Sequence, residues 1–185
     1  MRDPSQPIEV RIEREAQSLI IRSALRHYRS NCVGFVIGQF DGEPILPHLE
    51  FSVVSTAFER DDPGGLDVAQ VALARDMPKA ERLASEYGRH VIAVWVAWDT
   101  YKLPDSAVRL KWFEDFARVN LVPHVVECMT DGGENLGGIG VYWSSLLTQI
   151  YLKQQITHRS VWNPQDNPRR VQSAWRKIQN EKAKV

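Results

Sequence analysis

The stretch Val91–Arg109 reads VIAVWVAWDTYKLPDSAVR, and its reading decides the fold. From Val91 to Trp98 the run is apolar without a break, so it lacks the period-two alternation of a half-buried strand. A strand of that kind is covered on both faces and lies in mid-sheet. The chain then passes through Asp99, Thr100, Tyr101, Lys102, Leu103 and Pro104 to Asp105-Ser106. That pair caps a helix carrying Val108, Leu110, Trp112, Phe113 and Phe116. A buried strand delivering a loop to a helix start is a frequent place for an active site, yet no His, Cys or Glu stands in this stretch.

Working outward, Ile12, Ala16, Leu19, Ile20, Ala24 and Leu25 recur at helical spacing and predict a first amphipathic helix over 8–28. Ser30-Asn31 ends it. Cys32–Gln39 then reads as a strand, and Asp41-Gly42 as the turn of a hairpin into Glu43–Thr56. FERDDPGG, residues 58–65, is loop; Asp61-Asp62 there reads as solvated turn chemistry and not as a cation site. Leu66–Tyr87 is helical, with Pro78 either kinking one helix or opening a second, and Gly88 supplies the C-terminal cap.

Beyond the central strand the pattern predicts a helix over 105–120 and a strand over 122–129. The glycine-rich 131–140 has neither the phosphate-loop nor the dinucleotide-fold order, so it reads as a flexible turn. A helix is expected from Ser144, and Pro168 opens a last helix with Val171, Trp175 and Ile178 on one stripe. Element order and length together predict an extended arm over 1–7, one domain over 8–157 and a helical tail over 158–185. The fold class is α/β (α+β), a mixed sheet sandwiched by helices.

Composition is that of a soluble protein, with no run of 18 apolar residues and no signal-peptide pattern in MRDPSQPIEV, so a cytoplasmic, membrane-free location is expected. Cys32 and Cys128 lack metal-ligand spacing and are expected to be buried free thiols. The formal net charge of zero hides an asymmetry. From Lys153 onward eight basic residues stand against two acidic ones, which gives the tail +6 and the preceding 152 residues −6. A basic tail can meet the acidic body of its own chain or an acidic partner.

Asn31-Cys32-Val33-Gly34-Phe35-Val36-Ile37-Gly38 and the central stretch resemble two motifs of the MPN (JAB, JAMM) domain, the fold of metal-dependent isopeptidases and their inactive sister subunits. In E-x-x-G-x-L-x-G both glycines and the apolar slots match, with Asn31 in place of the Glu. In H-x-H-P, six residues and S-x-x-D, Val96-Ala97-Trp98-Asp99 falls on the first part and Ser106-Ala107-Val108-Arg109 on the last. The resemblance spans residues 8–150. It implies zinc ligands at the positions of Val96, Trp98 and Arg109, a serine at Ser106 and a general base at Asn31. Two apolar side chains and a fixed cation cannot hold the metal, and an amide cannot take the proton. The resemblance therefore implies a site that is lost, with no cofactor.

The expected role is a non-catalytic scaffold subunit that binds protein partners, another MPN-like subunit among them. Its anchors would be Trp98, Tyr101, Trp162, Arg169, Arg170, Trp175 and Arg176, because Trp and Arg dominate binding hot spots. The tail helix is too short and narrow to stand alone in water, and it is expected to dock on a partner. Two other classes stay open. One is a hydrolase or transferase using Cys32, or Asp99 and Asp105 with His90 or His124. The other is nucleic-acid binding through Arg159, Arg169, Arg170, Arg176 and Lys177, which charge alone supports.

Overall fold

The computed structural model describes residues 11–26, 30–41, 46–59, 65–99, 106–122, 124–130, 136–143, 148–150 and 168–181. Strands β1 (Arg11–Ile12), β2 (Ser30–Asp41), β3 (Leu46–Glu59), β4 (His90–Asp99), β5 (His124–Thr130), β6 (Leu136–Trp143) and β7 (Thr148–Ile150) form one mixed sheet in the order β1-β3-β2-β4-β5-β6-β7. The apolar run 91–98 lies in β4, fourth of the seven strands, antiparallel to β2 and parallel to β5. Helices α1 (Arg14–Arg26), α2 (Gly65–Glu86), α3 (Ser106–Val119) and α4 (Pro168–Asn180) complete the described elements.

Both faces of β4 are buried because its alternate side chains serve two cores. Val94, Val96 and Trp98 join Val33, Phe35, Val53 and Val125 under residues of α2, α3 and α4. Ala93, Trp95 and Ala97 join Cys32, Val36 and Val126 under Ile12, Ala16 and Ile20 at the α1 side. Trp95 needs special room. Its indole Nε1 donates to Val53 O at 3.1 Å, crossing β2 at Gly34. A Cβ on Gly34 would lie 2.0 Å from Val53 O and 2.6 Å from Trp95 Nε1, so only glycine fits there.

Two bulges in the β2–β3 ladder, at Val33/Gly34 and Ile37/Gly38, leave Ser55 and Glu50 of β3 without a partner in the register. A bulged residue is re-aimed out of the alternation. Ser55 Oγ donates to the buried Asp76 of α2 at 2.7 Å, and Glu50 turns toward Arg89, which donates to it. Burial alone would raise the Asp76 carboxyl. The hydrogen bonds from Arg75 and Ser55, with the charges of Arg75 and Lys79, outweigh that and hold it below the ordinary value.

Four expectations are corrected. Arg11-Ile12, read as the start of the first helix, pairs in parallel with His48-Leu49 of β3, and α1 begins only at Arg14. Pro78 does not open a second helix, since α2 runs through it. The glycine-rich stretch is strand from Leu136, where its small residues pair with β5. The helix expected from Ser144 gives way to β7, which pairs with β6, because a paired edge satisfies the backbone that the apolar pattern alone left undecided.

Two expectations are met in detail. Gly88, at φ +65°, caps α2 as Arg89 N donates to Ala84 O at 2.8 Å. The stripe Val171, Trp175 and Ile178 of α4 is buried, as an amphipathic helix requires. It docks, however, on its own domain and not on a partner. β1 covers only His48-Leu49, so the outer edge of β3 beyond them needs other cover. α4 supplies it: Trp175 Nε1 donates to Val54 O at 2.8 Å, Gln172 Nε2 to Ser52 O at 2.5 Å and Gln179 Nε2 to Val54 O at 3.0 Å. The Trp175 ring stands edge-on to Phe35 at 6.3 Å.

Candidate functional site

The β2–β4 ladder sets Cys32 opposite Ala97 and Val33 opposite Val96, which carries Asn31, one residue further, toward Trp98. Val96 and Trp98, two apart, share the face that looks toward α2 and α3. Three of the five motif positions, Asn31, Val96 and Trp98, are thus brought together, and all three are buried. Ser106 and Arg109 lie in the first turns of α3, with Arg109 one turn before Phe113. The side chains of Ser106 and Arg109, and all of Tyr101 and Trp162, lie outside the described residues.

The space beside these positions is filled by rings. Trp98 meets Phe58 edge-on at 6.1 Å and Phe113 at 5.8 Å, and only 2% of it is exposed. Its indole Nε1 donates to Glu127 Oε2 at 2.8 Å. Glu127 sits on β5 opposite Val96 and is itself buried. It was missed in the sequence, where the only signal is one acid inside an otherwise apolar strand.

The zinc that the motif resemblance implies does not fit this donor set. Val96 and Trp98 present no lone pair at the ligand positions, and the nearby Glu127 carboxylate accepts from the indole. Among the described residues no group of three or more His, Cys, Asp or Glu could hold a metal ion.

The other candidate groups are scattered. Cys32 and Cys128 are free and buried. Burial pushes the Cys32 thiol up to about 12, and burial with the neighbouring Glu127 charge does the same for Cys128. A thiol held that far above neutrality is no nucleophile. Cys32 instead donates weakly from Sγ to Ser23 O at 3.6 Å. His124 is buried on β5 while His90 is exposed at the start of β4, and Asp105 lies outside the described residues.

A second buried polar cluster also escaped the sequence reading. His48 Nε2 lies 2.7 Å from Glu13 Oε1, and its Nδ1 lies 3.7 Å from Glu50 Oε1. Gln39 donates to Glu50 Oε1 at 3.4 Å, and Arg89 donates to Glu50 Oε2. Glu13 joins β1 to α1, so the cluster clamps this corner onto the β3 edge. It is closed: Glu13, His48 and Glu50 are all buried.

Two of the expected docking anchors are corrected by burial. Trp98 and Trp175 are spent inside the core, whereas Arg169, Arg170 and Arg176 are exposed along α4. No helix among the described residues is long and apolar enough to cross a membrane.

No protein-family model matches this sequence, and no curated protein matches it. Solved structures do. A JAB1/MPN domain protein from Archaeoglobus fulgidus is 12% identical, with a TM-score of 0.45 over 77% of this chain and 95% of that one. A protein from Desulfitobacterium hafniense is 12% identical, with a TM-score of 0.45 over 81% of this chain and 97% of that one. A protein from Salinibacter ruber is 14% identical, with a TM-score of 0.48 over 77% and 89%. Likeness at this level says nothing about the chemistry of the site.

Proposed function

We propose that this chain is a non-catalytic MPN-like domain that works by binding a protein partner, another MPN-like subunit within a larger assembly. One observation carries the reading. The positions that fall on the two zinc-binding histidines of the motif hold Val96 and Trp98, both buried and the second packed between Phe58 and Phe113. Asn31 at the position of the general base adds to it, since a carboxamide has no basic lone pair to take a proton from water. The hydrolase or transferase reading loses its nucleophile with the burial of Cys32. With Trp98 and Trp175 inside the core, the exposed Arg169, Arg170 and Arg176 are the remaining described anchors, and Arg is a residue that interfaces favour.

The test is purification from the native cell of the full chain with whatever accompanies it, followed by elemental analysis and an isopeptide-cleavage assay on the same sample. A stoichiometric protein complex with no bound zinc and no cleavage is expected. One equivalent of zinc surviving mild chelation, or cleavage lost on substitution of Asn31, overturns the proposal. A salt titration separates the nucleic-acid alternative, because phosphate contacts weaken steeply as salt rises.

A further inference from the structure

We draw no further inference here: the strongest candidate, the exposed apolar stripe of Val68, Val71, Ala74 and Pro78 on α2, carries nothing, because nothing among the described residues shows what covers it.

Discussion

Trp98 Nε1 donates to Glu127 Oε2 at 2.8 Å from a face of the sheet where both residues are buried. This bond binds β4 to β5 at the motif positions, and it gives a buried carboxylate a donor that the rings around it cannot supply. Trp98→Phe keeps a ring but removes the donor, and the expected loss is about 1–3 kcal/mol in urea unfolding. A double-mutant cycle with Glu127→Leu should return a coupling of about 0.5–3 kcal/mol. Additive losses would mean that the two residues act separately.

Glycines 34 and 88 should respond differently to alanine. At Gly34 the new methyl would collide with Val53 O and the Trp95 indole, neither of which can withdraw without breaking the other's hydrogen bond. A loss of about 3 kcal/mol is expected there. At Gly88 nothing lies within 4 Å, and the cost is that of a left-handed backbone at φ +65°, about 1–2 kcal/mol. Denaturant midpoints for Gly34→Ala and Gly88→Ala decide it, and the reverse order would contradict the packing described.

The tail helix belongs to the folded domain. Trp175→Ala should cost about 3–5 kcal/mol, the value for a large core residue. Truncation after Ser160 should do more, since it strips donors from Ser52 O, Val54 O and Ser55 O at the sheet edge as well as the stripe from the core. Loss of cooperative unfolding or aggregation of the truncated chain is expected. A truncated chain that melts like the intact one would return the tail to the role of a detachable arm.

Acid should find Asp76. Its folded-state carboxyl lies below the ordinary value, so the stability it contributes is complete above the unfolded-state value, about 3.9, and fades as pH falls through the lower folded value. The melting temperature should therefore hold level from neutrality to about pH 5 and drop below about pH 4. Asp76→Asn should lower stability at neutral pH while flattening that acid limb. An unchanged acid limb in the variant would assign the effect to other carboxylates.

The sequence by itself determined the local decisions. An apolar run as long as Val91–Trp98 has no solvent face to offer, so its place in mid-sheet follows from hydrophobic burial alone. Gly88 after α2, and Pro168 ahead of the Val171, Trp175, Ile178 stripe, each carry their backbone consequence in the residue type. That Asn31, Val96 and Trp98 offer neither an imidazole nor a carboxylate was legible too, since a ligand type is a property of the residue.

Only the tertiary structure decided which surfaces those elements cover. The stripe of α4 demanded burial, but nothing in its spacing distinguishes a partner's groove from the open edge of β3, where Trp175, Gln172 and Gln179 find carbonyls to bond. Arg11-Ile12 and Thr148–Ile150 are strands because β3 and β6 stand beside them, the first of these pairings joining residues 37 apart in the chain. The partnership of Trp98 with Glu127, and of His48 with Glu13, joins positions 29 and 35 residues apart. Periodicity reports how one segment must be buried, whereas hydrogen bonds across the sheet and between layers depend on register and bulges, which are settled only when all strands assemble.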